Sequence, residues 1–273
     1  GLLLCLASFA SIALRKIDVL FLGTNSLELV AVYTTAIFIA SFIEVPLGAL
    51  ERISHTKIAD NFAKDNYNEI EKIYLTASGG PFRGLLLIGG LLFIGINTCT
   101  QYIYEIGKLP AIYLQCINIV YIVSIAALIN ISTGINSAII FYSKYYVLGT
   151  IILVVTLLIT IALNVILIPK YGIYGAAIAS ASGSLIYNFS KFSFIYYKFK
   201  FQPYTYKSLL ITVVILLCTL LGYFIPNINS NPYLNLILKG GIVTISYITL
   251  IYYLKLSPEL FDIIKTKLKL SKN

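Results

Sequence analysis

The strongest constraint in this sequence is its division into long apolar blocks that are separated by short polar connections. Eight such blocks are present, most of them close to 20 residues long: 2–23, 30–53, 81–98, 112–141, 146–168, 172–196, 208–225 and 234–254. A helix needs about 20 apolar residues to cross the roughly 30 Å of hydrocarbon in a bilayer. Isolated strands cannot satisfy their backbone groups in lipid, and the sequence lacks the alternating segments of a membrane barrel. We therefore predict an all-α integral membrane protein with about eight transmembrane helices.

Composition excludes several classes of function. Hydrophobic residues make up 59 % of the chain and charged residues only 11 %, against about 25 % charged residues in soluble domains. The net charge of +9 does not indicate nucleic-acid binding, because most of the basic residues lie between the apolar blocks. The sequence contains no GxxxxGK phosphate loop, a single histidine (His55) and no long outer loop for a catalytic domain. We expect no enzymatic activity, no catalytic residues, no metal and no cofactor.

The distribution of basic residues predicts an orientation. If the loops alternate sides from the start of the first block, 15 of the 20 Lys and Arg residues lie on the starting side. The five on the other side are Arg15, Lys16, Lys108, Lys170 and Lys239. Because positive loops stay inside, both ends of the chain are expected in the cytoplasm of a multi-pass protein.

Local composition predicts where helices end and how they pack. Block 112–141 is too long for one straight crossing, so we expect it to tilt, to bend near 130–134 or to begin outside the hydrocarbon. Pro169 and Gly172 should end one helix and start the next. The polar stretch 57–78 is expected to form a short surface helix. Small residues every fourth position, such as Gly175, Ala179 and Gly183, favour close helix packing.

Charged residues inside the apolar blocks are the candidate functional residues. Arg15, Lys16 and Asp18 lie within the first block, and Arg15 and Asp18 are spaced to pair on one helix face. Glu44 lies 14 residues into the second block, about 21 Å along a helix. The same face also carries Glu51, and Arg52 follows it. A charge at mid-membrane costs about 2.5–3.5 kcal/mol on insertion scales, so it needs a partner or water.

Two interpretations of these charges remain open at this point. In the first, the cations reach the outer interface, Asp18 neutralises one of them, and Glu51 and Arg52 lie at the cytoplasmic rim. In the second, the charges line a hydrated cavity that handles a charged substrate or a coupling ion.

Two sequence motifs resemble the polysaccharide flippases of the multidrug/oligosaccharidyl-lipid/polysaccharide exporter superfamily, which are MATE-like transporters. The segments IDVLFLG at 17–23 and LVAVY at 29–33 are similar to the start of the C-terminal lobe in that family. The segment LNVILIPKYGIYGAAIA at 163–179 is similar to the family's late signature. The stretch 57–78 is similar to its cytoplasmic connector. Ala31 departs from the glycine that is common in the family.

The resemblance implies a division of the chain and a biological role. Residues 1–200 would form the second six-helix lobe, and residues 201–273 two further transmembrane helices with a basic cytoplasmic tail. An N-terminal lobe of the same protein would be missing, so we expect a fragment or a processed chain. Family members flip undecaprenyl-diphosphate-linked oligosaccharides, such as O-antigen or capsule units, across the bacterial cytoplasmic membrane by alternating access.

Other functions are weighed against the flippase. A cation-coupled multidrug antiporter of the same superfamily would use buried carboxylates such as Asp18 or Glu44, with a proton or sodium as coupling ion. A membrane glycosyltransferase or polymerase is a further alternative. The expected partners are the lipid-linked oligosaccharide, membrane lipids and the missing lobe, and the expected cavity residues are Arg15, Lys16, Asp18, Glu44, Glu51 and Arg52.

Overall fold

All regular elements in the part of the chain that the structure describes are helical. The computed structural model describes residues 2–24, 26–79, 81–202, 204–227 and 231–256. The helices are α1 Leu2–Gly23, α2 Leu27–Ser41, α3 Val45–Ala63, α4 Tyr67–Gly79, α5 Pro81–Gly107, α6 Leu114–Thr133, α7 Asn136–Tyr142, α8 Tyr146–Tyr171, α9 Ile173–Phe199, α10 Tyr206–Phe224 and α11 Pro232–Tyr253. Short 3₁₀ turns at Phe42–Glu44 and Ala111–Tyr113 precede α3 and α6. The predicted all-α architecture is confirmed over these residues.

Five helical segments among the described residues are long and apolar enough to cross a membrane. They are Leu27–Ala63, Ala111–Thr133, Tyr146–Tyr171, Tyr206–Phe224 and Pro232–Tyr253. Only 22–33 % of the residues in their most apolar windows are buried inside the molecule. Since such an apolar outer surface is not stable in water, these segments are suited to a lipid environment. This agrees with a multi-pass membrane protein.

The other long helices, α1, α5 and α9, are not among these five segments. Every 18-residue window of α1 contains three charged residues, namely Arg15, Lys16 and Asp18. Helix α9 is rich in small and hydroxyl residues, and the apolar part of α5 is the shorter stretch Leu86–Tyr102. The predicted number of eight crossings therefore depends on these three helices.

Helix breaks occur where glycine and proline mark them. Block 112–141 divides into α6 and α7 at Gly134, which has φ 61° and ψ −136°, a region open essentially to glycine alone. Gly172 has φ 56° and ends α8 one residue before α9 begins. The second block changes to a 3₁₀ turn before α3, which starts with Pro46 in its first turn. The predicted bend near 130–134 is confirmed. The predicted break at 168–172 occurs at Gly172, whereas Pro169 lies inside α8 and does not end it.

The polar stretch 57–78 is helical but is not a free surface helix. The end of α3 and helix α4 fold back on each other, with a turn at Asp65, which has φ 50°. Ile58, Ile70 and Tyr74 are fully buried there. They pack with residues of α7 and α9 such as Ile139. The α3–α4 pair is therefore attached to the bundle by a core of its own.

Two further cores organise the bundle. Helix α9 packs against α8, α6 and α1, and one core joins α1, α2, α6 and the start of α9. A second core joins α5, α10 and α11 and includes Ile215, Val243 and Tyr247. The last two helices thus attach to the rest of the protein mainly through α5. Residues 257–273, which hold the end of the predicted basic tail, lie outside the described residues.

Candidate functional site

Asp18 is the most deeply buried carboxylate among the candidates, with 3 % of its surface exposed. It lies on α1 and faces α2 and α9. The Tyr33 hydroxyl of α2 donates a hydrogen bond to its Oδ2. The Ser180 hydroxyl of α9 donates to the same oxygen at 2.8 Å, and the backbone N–H of Val19 donates to Oδ1 at 2.9 Å. We call Asp18, Tyr33 and Ser180 the Asp18 cluster.

The predicted pairing of Arg15 with Asp18 is wrong. The ion pairs between described residues are Lys64–Asp60 and Lys72–Glu69, both on the α3–α4 segment. Arg15 is exposed, while Asp18 points into the bundle. The side-chain partners of Asp18 come from other helices because tertiary packing brings the Tyr33 and Ser180 hydroxyl groups within hydrogen-bond distance of its carboxylate.

Glu44 lies at the end of the 3₁₀ turn that precedes α3 and is half-buried. Its Oε1 accepts a hydrogen bond of 2.9 Å from the Asn130 amide, near the end of α6. The two residues therefore connect the break in the second apolar block to the break in the fourth. Within the described part of the chain this amide is the one hydrogen-bond donor to the Glu44 carboxylate, so most of its lone pairs remain available.

Lys191 is a buried cation that the sequence interpretation counted only among the basic residues of the cytoplasmic side. Its side chain is only 4 % exposed. Its Nζ donates to the Ser137 hydroxyl of α7 at 3.1 Å and lies 4.1 Å from the centre of the Tyr187 ring. Phe199 ends α9 eight residues later, so Lys191 lies about 12 Å from the end of the helix. This position inside the apolar block 172–196 is the sequence feature that could have identified Lys191 as a candidate.

Four charged groups from different parts of the chain act on one another electrostatically. The charges of Glu51, Glu44 and Arg15 interact electrostatically with the Lys191 ammonium group. The Glu44 carboxylate in turn interacts with Arg15, Glu51 and Lys191. Two are cations and two are carboxylates, yet no two of them lie within the 4.0 Å of an ion pair. We call Arg15, Glu44, Glu51 and Lys191 the Lys191 group.

A polar stripe on α9 connects the Asp18 cluster with the Lys191 group. Ser180, Ser184, Asn188 and Lys191 follow one another at spacings of four, four and three residues, which places them on one helix face. The Asn188 amide donates to the Ser184 carbonyl at 3.0 Å, and its Oδ1 accepts from Thr133 of α6 at 3.0 Å. The stripe therefore runs along the contact of α9 with α1, α6 and α7.

The structure brings together some of the predicted site residues and separates others. Arg15, Glu44 and Glu51 belong to the Lys191 group, whereas Asp18 belongs to a separate cluster with Tyr33 and Ser180. Lys16 and Arg52 are exposed. Tyr33, Asn130, Ser137 and Ser180 were not predicted, because neutral polar residues in apolar blocks are too common to single out before their partners are known.

The chemistry available at this site is the binding and orientation of charged groups. Among the described residues, no three His, Cys, Asp or Glu side chains converge in the way a metal ion requires. Cations, carboxylates and hydroxyl groups facing one polar interface can recognise an anion or exchange a proton. No family model, no curated protein and no solved structure matches this chain.

Proposed function

We propose that this chain is the C-terminal part of a transporter that flips an undecaprenyl-diphosphate-linked oligosaccharide across the bacterial cytoplasmic membrane. The proposal takes residues 1–200 as a six-helix lobe, residues 201–273 as two further helices and a cytoplasmic tail, and all eight helical blocks as crossings. An N-terminal lobe of the same protein would complete the translocation path.

The Lys191 group is the observation that carries this proposal. A charge within a span costs about 2.5–3.5 kcal/mol on insertion scales, so two cations and two carboxylates that form no ion pair with one another favour a region that water or a substrate reaches. The diphosphate of the substrate is an anion, and Arg and Lys both bind phosphate oxygens. Arg15 is exposed and can reach a substrate in a path between two lobes. Lys191 is buried and contributes a second positive charge, which attracts the anionic diphosphate without contacting it.

Alternating access supplies a mechanism for this arrangement. The glycan is hydrophilic, so it needs a wet path between two lobes that rock against each other around a site near mid-membrane. The sequence carries no nucleotide-binding loop. The energy would therefore come from an ion gradient or from the consumption of the product on the outer side.

Replacing the cations tests the function in cells. In the full-length protein, Arg15→Gln and Lys191→Gln should leave the protein in the membrane but strand the lipid-linked glycan on the cytoplasmic leaflet. The matched control is Lys57→Gln, since Lys57 is an exposed lysine on α3 outside the Lys191 group. Normal surface polysaccharide in a deletion strain that lacks any similar transporter would refute the flippase.

The Asp18 cluster favours a second candidate, a cation-coupled antiporter. A buried carboxylate that accepts from two hydroxyl groups can exchange a proton or hold a sodium ion during transport. This candidate predicts that the deletion strain becomes sensitive to cationic dyes and that Asp18→Asn fails to restore resistance. The flippase predicts a polysaccharide defect without dye sensitivity.

A further inference from the structure

A pocket of about 320 Å³ lies where the turn between α3 and α4, the α7–α8 connection and the end of α9 meet. Its walls are mainly aromatic, and two lysines stand at its edge. Residues that line it include Phe62, Lys144, Tyr145, Lys198, Phe199 and Phe201. The volume is in the range of sites that bind small molecules. The pocket contains none of the residues of the Asp18 cluster or the Lys191 group.

The charge of this pocket is positive and uncompensated. The Nζ atoms of Lys144 and Lys198 lie 5.5 Å and 5.1 Å from the centre of the same ring, that of Tyr145. Among the residues that the structure describes, no carboxylate lines the pocket. Neither lysine has an acidic partner within 4.0 Å among the described residues, whereas nearby Lys64 is paired with Asp60 at 2.7 Å.

The floor of the pocket is fixed by packing and hydrogen bonds. Ser143 is buried; its hydroxyl donates to the Ile140 carbonyl at 2.8 Å and accepts from the Tyr145 backbone N–H at 3.1 Å. The Tyr145 ring meets the edges of Phe194 and Phe199, with centroid distances of 5.5 Å and 5.9 Å. The ring over which both lysines lie is therefore held in place before any ligand arrives.

The pocket lies at the boundary of a candidate membrane span. Lys144 and Tyr145 immediately precede the segment Tyr146–Tyr171, which is long and apolar enough to cross a bilayer. Four exposed tyrosines lie near the pocket residues along the chain, at the end of α7, the start of α8 and the end of α9: Tyr142, Tyr146, Tyr196 and Tyr197. Tyrosine is enriched where a protein meets the headgroup layer. A ligand in this pocket would thus be within reach of lipid headgroups.

We propose that this pocket binds the phosphate of an anionic membrane lipid, with phosphatidylglycerol as the simplest representative. The two ammonium groups contact the phosphate oxygens, and the aromatic walls hold the glycerol part of the headgroup. Basic pockets between helices on the cytoplasmic side of a membrane are suited to such headgroups. The pocket shares no residue with the Asp18 cluster or the Lys191 group, and lipid binding there does not depend on the proposed transport function.

Direct binding measurements on the purified full chain test this site. Fluorescence anisotropy in detergent micelles compares a dansyl-labelled phosphatidylglycerol with the same label on phosphatidylcholine. We expect tighter binding of phosphatidylglycerol, and a loss of about tenfold or more in that preference for Lys144→Gln/Lys198→Gln. The charge-matched control is Lys57→Gln/Lys200→Gln, because neither of these lysines lines the pocket, and it should keep the preference.

The competing outcomes are distinct. Equal binding of the two lipids by the unaltered chain, or an unchanged preference in the Lys144/Lys198 double variant, overturns the proposal. If inorganic phosphate binds through Lys144 and Lys198 while labelled phosphatidylglycerol shows no binding that depends on these lysines, the pocket recognises free phosphate and the lipid proposal is overturned. Should circular dichroism show that the double variant is unfolded, the two single variants of these exposed lysines take its place.

Discussion

At the scale of single residues, the neutral donors around Asp18 determine how this bundle tolerates a buried carboxylate. A carboxylate removed from water loses its hydration and must regain hydrogen bonds inside the protein. Asp18 regains them from Tyr33, Ser180 and the backbone of Val19. Each donor comes from a different place in the chain, so the cluster also ties α1 to α2 and α9.

Removal of one donor should measure the strength of this cluster. We expect Tyr33→Phe to lower the free energy of unfolding by about 1–3 kcal/mol, because a buried acceptor loses its partner. The control is Tyr223→Phe on α10, since that tyrosine is 76 % exposed and its loss should cost less than about 0.5 kcal/mol. Unfolding in detergent micelles gives both values, and equal effects would show that the Tyr33 bond contributes nothing.

Hydration of the Lys191 group is a second prediction at this scale. After the four native cysteines are replaced, single cysteines at positions 15 and 44 of the full-length protein should react with a small polar thiol reagent. The control is Leu158→Cys on α8, an apolar position that is 61 % exposed and should face lipid. The thiol at 158 should stay inert, because a polar reagent does not enter hydrocarbon. Inertness at all three positions in folded protein would favour a dry, packed site.

How much of the site was predictable depends on the distance between partners along the chain. The cost of charge in lipid singled out Arg15, Asp18, Glu44 and Glu51, which the structure places in the Lys191 group or the Asp18 cluster. The sequence interpretation paired Arg15 with Asp18 because spacing along the chain identifies only neighbours on the same helix. The true partners of Asp18 lie 15 and 162 residues away. Only tertiary packing brings them together, so no pattern in a single sequence identifies them.

At the scale of the helix, close approach of α8 and α9 depends on glycine. A Cβ atom at Gly175 would lie 2.2 Å from the backbone oxygen of Leu167, and one at Gly183 would lie 2.2 Å from Oγ1 of Thr160. The spacing of small residues predicted this packing, because lipid supplies no hydrophobic drive for helix association and close contact must replace it. The breaks at Gly134 and Gly172 were predictable for a similar local reason.

Adding one methyl group should separate the two helices. We expect Gly175→Ala to lower the free energy of unfolding by about 1–3 kcal/mol, because the clash is with backbone that cannot rotate away. Gly241→Ala on α11 is the control: a Cβ there has no neighbour within 4 Å, and alanine favours a helix by up to about 1 kcal/mol. Thermal unfolding in micelles compares them; a stable Gly175→Ala protein would contradict the close packing.

At the scale of the whole molecule, polarity is divided unevenly among the helices. The five most apolar segments form much of the outer surface. Helices α1 and α9 carry two of the three residues of the Asp18 cluster and two of the four residues of the Lys191 group, and the segment Leu27–Ala63 carries the others. Helix α5 contacts both α6 and the α10–α11 pair. A Cβ at its Gly90 would come within 2.4 Å of the Ile215 side chain, so α10 packs tightly against it. Helix α9 is covered by α8, α6 and α1, whereas α1 keeps exposed apolar residues such as Phe9 and Ile12.

This division leads to a prediction about topology: α5 and α9 cross the membrane although neither is apolar enough to be identified as a span by itself. Polar faces of both helices pack against neighbours and not against lipid, which removes the cost of burying them. Single cysteines placed near Lys64 and Lys108 bracket α5, and cysteines near Tyr171 and Lys200 bracket α9. Labelling of intact cells with an impermeant thiol reagent should place the members of each pair on opposite sides. Within the eight-span arrangement, positions 108 and 171 should be labelled from outside and positions 64 and 200 only after permeabilisation. If either pair reports a single side, the helix between its members does not cross and the eight-span arrangement is wrong.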